Sequence, residues 1–376
     1  MENYKHLHIG AGALGLGLVG FISKFVGFEL AIANRPGKSF YDVLDKNLSF
    51  TLQETRLPNA TAGKSSNKQD IAFDHFFFLK NNEPSVAMRQ YFLDPNTVLL
   101  TSALKNTGID ALLDTLVALV RERLASKITT KVFLIAAENA VSSKDLHKLV
   151  RGKLGSALEQ GMMDQLIIPI DCVVDRICNK PSISNNNLIV KCEYYIDWII
   201  EDDPEFTDIL TQLNPQYNEM FTVVDDITPY VKRKKWVVNA LHLSTALLAH
   251  YYRYIGQRVD LFTKDKRFTP LFLSLTLDIW IMFAEKVKQE RLPFSEQDIE
   301  AFVIETMVRI SSHPQLVKDS CTRFNKATLF EFYSDFHRKV TEAYLQTVDN
   351  EDFVVIPQLI AMTTELISQQ HFIRTH

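Results

Sequence analysis

The sequence predicts an α/β protein, with an N-terminal Rossmann-like, mostly parallel sheet domain followed by an all-α C-terminal domain. Three observations carry this expectation. Short β-branched or aromatic runs alternate with helix-like segments through the first half of the 376-residue chain, as in strands joined by crossover helices. A glycine-rich turn, Gly10-Ala11-Gly12-Ala13-Leu14-Gly15, separates the first run from the first helical segment. From about Pro229 onward, apolar residues recur at helical spacing instead.

The elements follow in order. Residues 5–10, 28–34, 48–53, 76–80, 97–102, 131–136, 167–174 and 188–193 read as strands, with 15–25, 108–126 and 143–161 as the clearest helices among them. Residues 54–70 are polar, include Pro58, Gly63, Ser65 and Ser66, and read as an exposed excursion. Later helices are expected at 235–254, 270–289, 296–310, 327–346 and 356–370, several of them separated by Pro293, Pro314 and residues 348–352. The domain boundary is placed near residue 200, giving a Rossmann-like domain over 1–200 and a helical substrate domain over 201–376. A ligand cleft between the two is the expected arrangement.

Composition narrows the function. The length exceeds what one ordinary core supports, and 46% hydrophobic with 23% charged residues is ordinary for a globular chain. A net charge of −4 argues against nucleic acid or an acidic membrane surface as the main partner. No apolar run approaches the roughly 20 residues that cross a bilayer. The chain enters a strand almost at once, which leaves no room for a signal peptide, so a cytoplasmic location is expected. Cys172, Cys178, Cys192 and Cys321 form no Cys-x-x-Cys pair and read as buried free thiols. The histidines show no metal-ligand spacing, and no metal is expected.

The glycine turn has the residues a dinucleotide site needs. Gly10 permits the tight turn, Gly12 lets backbone approach a pyrophosphate, and Gly15 lets helix and strand pack closely. Ala11, Ala13 and Leu14 complete the loop, and the helix start supplies partial positive charge. The second strand ends at Asn34, where a carboxylate would normally bind a ribose 2′-hydroxyl. Asn34 still hydrogen-bonds but does not repel a 2′-phosphate, and Arg35 could pair with one, stack on adenine or face solvent. NAD and NADP both remain open as cofactors.

The second chemical segment is Tyr230-Val-Lys-Arg-Lys-Lys-Trp-Val-Val-Asn-Ala-Leu-His242, at the start of an otherwise apolar helix. Burying an amide or imidazole without partners costs roughly 1–3 kcal/mol, so Asn239 and His242 should be bonded to something. Metal-free hydride transfer needs a base, and a lysine kept neutral by desolvation and neighbouring cations is a natural one. The run Lys232-Arg233-Lys234-Lys235 supplies those cations, though it could equally be a solvated basic turn. Lys235, Asn239 and His242 stand at i, i+4 and i+7, on one helical stripe, which favours Lys235. Lys234 falls one residue off that stripe unless the helix begins later or its first turn is irregular.

The pattern Tyr230-x-x-Arg233-Lys234-x-x-x-x-Asn239-x-x-His242 resembles the signature of the polyol-specific long-chain dehydrogenases, the mannitol dehydrogenase family. Other blocks agree in order: the opening Gly-Ala-Gly-x-x-Gly-x-Gly ending at Gly17, Ala137-Glu138-Asn139, Val174-Asp175-Arg176-Ile177, Cys192-Glu193 and Trp198-Ile199-Ile200. The resemblance touches most of residues 8–242. It implies Lys234 as the base, Asn239 and Asn139 as amides on the reacting oxygen, and His242 as the residue positioning substrate. Asp175 and Arg176 are carried over to the substrate side, or to an ion pair behind it. Arg233 and Lys235 are the candidates for a phosphate. The implied reaction is reversible oxidation of D-mannitol 1-phosphate to D-fructose 6-phosphate with NAD or NADP, on a small sugar or polyol phosphate substrate. The alternatives are a free-polyol or hexuronate enzyme of the same family, or a nucleotide-binding sensor without turnover.

Three departures from the family pattern stand out. Asn34 replaces an acidic residue, Thr101-Ser102-Ala103-Leu104-Lys105 replaces a more usual Thr-Ala-Val-Gly-Pro, and Ala240-Leu241-His242 stands where Thr-Gly-His is common.

Overall fold

Six parallel strands carry the first half of the chain. The computed structural model describes residues 3–36, 39–55, 66–104, 108–137, 141–252 and 259–312. The expected helices at 327–346 and 356–370, Lys105, Asn139 and Cys321 lie outside the described residues. Contacts divide the chain into two units, Met1–Ile227 and Thr228–His376.

In the first unit the strands are β1 (Lys5–Ile9), β2 (Glu29–Asn34), β3 (Ser49–Thr55), β4 (Ser66–Ala72), β5 (His75–Phe78), β6 (Thr97–Ser102), β7 (Val132–Ala136), β8 (Ile167–Pro169), β9 (Cys172–Asp175), β10 (Ser182–Ser184), β11 (Asn187–Glu193), β12 (Asp197–Glu201) and β13 (Thr222–Val224). The main sheet runs β5-β2-β1-β6-β7-β8, all parallel. Its order reverses direction at β1, so the carboxyl end of β1 is the topological switch point where ligands bind. Every residue of β6 and β7 is buried, as a parallel sheet covered on both faces requires.

The two faces have separate cores. On one, Leu7, Ile9, Ala33 and Leu100 meet α3 (Val86–Leu93) and α4 (Ile109–Ala125), with Leu112 and Leu116 reaching in. On the other, Leu30, Ile32, Leu99 and Phe133 meet α1 (Phe21–Val26) and the smaller sheet β10-β11-β3-β4. A third sheet, β13-β12-β9, completes the unit. The remaining helices here are α2 (Ser39–Asn47), α5 (Ser143–Lys153), α6 (Ala157–Leu166) and α7 (Pro204–Leu213).

Several expectations needed local physics that periodicity misses. The excursion expected at 54–70 contributes β4, paired antiparallel to β3 from Ser49↔Ala72 to Thr55↔Ser66. Asn67 to Asp70 are exposed on that sheet edge, which is why the segment reads as polar. The single strand expected at 167–174 is two, β8 in the main sheet and β9 antiparallel to β12. The helix expected at 143–161 breaks at a capping box, with Ser156 and Glu159 closing the start of α6. Residues 201–227, expected with the helical half, stay with the first unit. There β13 pairs with β12, and Phe206 and Leu210 of α7 enter the core around α1.

The second unit is helical among its described residues: α8 (Thr228–Arg233), α9 (Ala240–Tyr251), α10 (Val259–Lys264), α11 (Thr269–Glu290) and α12 (Glu296–Ser312). Val237, Leu241, Leu248, Phe262, Phe272, Ile279 and Phe283 form its core. No helix among the described residues is long and apolar enough to cross a membrane.

The core of β1 is unusual in holding two imidazoles, His6 and His8, at 1% and 0% exposure. Burial holds His6 well below the usual histidine value and pushes His8 down to about 4. Because both folded-state values are depressed, the unfolded chain takes up protons first as pH falls. Their stabilising contribution is full above the ordinary value of 6.5 and is lost progressively as pH drops toward 4. Between pH 7 and 5.5, before most carboxylates titrate, His8 alone should remove about 1 kcal/mol from the unfolding free energy, with His6 acting in the same direction. Urea denaturation at the two pH values measures this, and equal stability at both would contradict neutral buried histidines.

Candidate active site

The nucleotide turn follows β1 directly. Gly10 has φ +122°, and a Cβ there would lie 2.5 Å from the Ala103 carbonyl oxygen. Its N–H donates to the Ala33 carbonyl at 2.9 Å, and the Ala11 N–H donates to Asn34 Oδ1 at 3.2 Å. A Cβ on Gly15 would sit 1.8 Å from the Gly10 carbonyl oxygen, so the helix rests against the strand as closely as backbone permits. Gly12 is different, since nothing lies within 4 Å of where its Cβ would be. The turn is therefore closed at Gly10 and Gly15 and open at Gly12. The backbone N–H groups of Gly12, Ala13 and Leu14 stand at the helix start, where donors have no intrahelical partner.

Beside the turn lies a small open cleft walled by Ile9, Leu79, Leu104, Ala111 and Leu112, with Asn34, Arg35, Asn82 and Gly108 completing it. It is an apolar slot next to an open glycine turn. Asn34 does not face that slot as a free amide. Its Oδ1 holds the Ala11 N–H, and its Nδ2 donates to the Arg35 carbonyl at 2.8 Å. Arg35 is exposed, and its guanidinium reaches to 3.8 Å from the Cβ position of Gly108. Leu79 and Leu104 did not emerge from the sequence. The signal that would have found them is topological, because both follow strands flanking the β1–β2 pair at their carboxyl ends.

Arg176, expected near substrate, lies wholly inside the first unit, its side chain 0% exposed. Its guanidinium donates to Glu54 Oε1 at 2.5 Å, to the Gly17 carbonyl at 2.5 Å and to the Glu193 carbonyl at 3.0 and 3.1 Å. Glu193 is also buried, and its Oε1 accepts the Ile177 N–H at 2.6 Å. Asp175 ends β9, buried opposite Asp197. Gly17 faces Cys178 and Cys192, whose sulfurs are 3.1 Å apart, and a Cβ on it would lie 2.4 Å from Cys192 Sγ. Blocks that are far apart in sequence thus meet behind the nucleotide turn.

In the second unit, Lys234 to Asn239 form a π-helical turn between α8 and α9, where the Ala240 N–H donates to the Lys235 carbonyl five residues back. In a regular α-helix, residues five apart diverge by about 140° around the axis. Bonding from i to i+5 closes the turn on that spacing and brings them close to one face. Lys234 and Asn239 are separated by five, the spacing on which the irregular turn closes, and His242 follows Asn239 by three. Lys234, Asn239 and His242 are half-buried, whereas Lys235 is exposed, its ammonium 5.5 Å from the Trp236 ring.

The neighbouring cations are separately employed. Arg233 is enclosed by aromatic rings, with its guanidinium 5.1, 5.6 and 4.2 Å from the centroids of Tyr230, Phe294 and Phe302. Lys232 pairs with Glu290 at 2.5 Å, and Lys286 reaches the same carboxylate at 2.7 Å.

Residues 4–214 match the model of the mannitol dehydrogenase Rossmann domain. The chain is 24% identical over 334 residues to a mannitol-1-phosphate 5-dehydrogenase of Aureobasidium melanogenum, covering 88% of this chain and 78% of that one. It is 26% identical over 250 residues to one from Emericella nidulans, covering 65% of this chain and 58% of the relative, so it spans under two thirds of that protein's length. Among solved structures, Pseudomonas fluorescens mannitol 2-dehydrogenase in ternary complex with NAD and D-mannitol superposes with a TM-score of 0.66 at 17% identity, over 98% of this chain and 86% of that one.

The turn makes a paired prediction. Gly15→Ala should fail to fold or melt well below the parent, because the added methyl meets backbone. Gly12→Ala, with open space around it, should melt like the parent but lose dinucleotide affinity. Thermal melts and fluorescence titration of both variants check this, and the opposite order would refute the assignment of roles.

Proposed function

The chain belongs to the mannitol dehydrogenase family, and on that premise we propose that it interconverts D-mannitol 1-phosphate and D-fructose 6-phosphate using NAD or NADP. The observation that supports the proposal is the π-helical turn, whose five-residue closure matches the spacing of Lys234 and Asn239, three residues before His242. A base, an oxygen-binding amide and an imidazole on one short stretch are what alcohol oxidation needs once a hydride acceptor is supplied. Two curated relatives acting on mannitol 1-phosphate support the substrate.

Lys234, uncharged when it acts, takes the proton of the C5 hydroxyl. Asn239 donates a hydrogen bond to the oxygen as it becomes a carbonyl, and Asn139 is proposed as the second amide on it. His242 orients the sugar chain. A bound nicotinamide cofactor would supply the hydride acceptor, and residues 10–15 with Leu79 and Leu104 beside them would hold it. With Arg233 caged by three aromatic rings, Lys235 is the better of the two candidates for the substrate phosphate. Asn34 carries no charge to repel a 2′-phosphate and Arg35 stands at the cleft, so NADP is accepted as well as NAD.

Lys234→Ala should lower kcat by roughly 10²–10⁴ while leaving cofactor affinity intact. Lys235→Ala should keep kcat and raise KM for the phosphorylated substrate about tenfold. Nicotinamide absorbance, followed with fructose 6-phosphate, fructose and fructuronate and both reduced cofactors, measures these effects. Loss of turnover in Lys235→Ala with near-normal Lys234→Ala would name the other base, and preference for an unphosphorylated substrate would name the other branch of the family.

A further inference from the structure

Beneath the nucleotide turn runs a buried hydrogen-bond chain whose direction is set by its last acceptor. His8 Nε2 lies 2.9 Å from the Gly10 carbonyl oxygen, and His8 Nδ1 lies 2.7 Å from Thr101 Oγ1. His6 Nε2 lies 2.7 Å from the same Thr101 oxygen, and His6 Nδ1 lies 2.8 Å from Ser23 Oγ. A carbonyl oxygen only accepts, so His8 Nε2 carries a proton. Burial keeps both rings neutral, which leaves His8 Nδ1 as an acceptor that the Thr101 hydroxyl must serve. With its one proton directed there, Thr101 accepts from His6 Nε2–H, and Ser23 donates to His6 Nδ1. The chain therefore runs one way, from Ser23 through His6, Thr101 and His8 to Gly10.

We infer that His8 is a positioning residue for dinucleotide binding, locking the Gly10–Ala11 peptide in the one orientation that leaves the turn open at Gly12. The inference rests on reading residues 10–15 as the cofactor turn. The carbonyl of that peptide accepts from His8 and its N–H donates to Asn34 Oδ1, so both of its polar groups are held. The lock is needed because Gly10, at φ +122°, lacks the side chain that would oppose rotation of the next peptide. A flip would turn the carbonyl toward Asn34 Oδ1, an acceptor against an acceptor, and the N–H toward His8 Nε2–H, so both bonds would be lost together. His8 Nε2 also lies 2.6 Å from the Cβ position of Gly15, so the ring occupies the notch between strand and helix that only glycine leaves.

Histidine ¹⁵N spectra of the full chain at pH 7 test the chain directly. Both His6 and His8 should be neutral with the proton on Nε2, and an Nδ1–H tautomer or a charged ring at His8 would overturn the inference. Fluorescence titration with NADH and NADPH tests the consequence. His8→Phe, which fills the space but cannot donate, should weaken binding about tenfold, with kcat at saturating cofactor within about twofold of the parent. His8→Gln, whose amide can reach the same carbonyl, should recover most of that affinity. Should His8→Phe not fold, Thr101→Val removes the hydroxyl that fixes the tautomer, and it should weaken binding severalfold and mix the His8 tautomers. A purely structural histidine predicts lower melting points with unchanged dissociation constants, and that result refutes the inference alone. If the parent binds neither cofactor, the reading of the turn falls, and the inference with it.

Discussion

The guanidinium of Arg176 fastens the first unit together. It is a fully buried cation that joins the carbonyl of Gly17, the carboxylate of Glu54 and the carbonyl of Glu193. Those three groups belong to the helix after the nucleotide turn, to β3 and to β11. The smaller sheet is thereby tied to the back of the turn by charge as well as by apolar contact. Removing one member of such a buried pair costs about 3–5 kcal/mol, because the partner's charge is left without solvent. The geometry also explains Gly17. Two sulfurs and a guanidinium converge on its backbone, and a Cβ would collide with Cys192. The family-like blocks at Gly17, Val174–Ile177 and Cys192–Glu193 are one spatial knot, which serves the site by holding the turn's helix in place.

Two π-helical turns occur among the described residues, at Gly15–Gly20 and Lys234–Asn239. Each sits where chemistry is expected, the first just past the glycine turn and the second at the candidate base. Widening a helix by one residue per turn weakens its hydrogen-bond geometry, so such turns persist where another contact or a task compensates. For the first, Phe50 and the Arg176 knot pack against Gly20 and Gly17, where small residues let the widened turn lie on the smaller sheet. For the second, the consequence is a changed register between Lys234 and Asn239.

That register is where the residues by themselves pointed the other way. Regular α-helical spacing puts Lys235 on the stripe of Asn239 and His242, but the turn over Lys234–Asn239 is not regular. Elsewhere legibility followed the strength of local pattern. A buried strand such as β7 reads as a continuous apolar run, and the long helices α4, α11 and α12 kept their 3.6-residue period. β4 was hidden because an edge strand with exposed residues carries a polar sequence. The change of sheet between β8 and β9 was hidden because both halves are β-prone, and partner choice is not a local property. Arg176 read as a substrate-side group because sequence registers its charge and not the carboxylate at Glu54, which arrives from β3. Asn34 was visible as a departure, yet its task was not, since the Ala11 N–H that occupies its Oδ1 is positioned by the turn itself.

The hydrogen bonds around the turn share one electrical property. His8, Thr101 and Asn34 hold its backbone, and none of them brings a formal charge. Among the residues lining the adjoining cleft, the charge is that of Arg35. A carboxylate in place of Asn34 could accept the Ala11 N–H equally well, but it would set a negative charge beside any bound phosphate. At a separation of 4 Å, two like charges repel by about 4 kcal/mol at an effective dielectric near 20. The amide keeps the geometric function of the position and omits that repulsion. On the proposed reading of the turn, anion recognition rests on backbone N–H groups oriented by neutral side chains. On that same reading, binding depends on the fidelity of the backbone, which a buried imidazole holds from below.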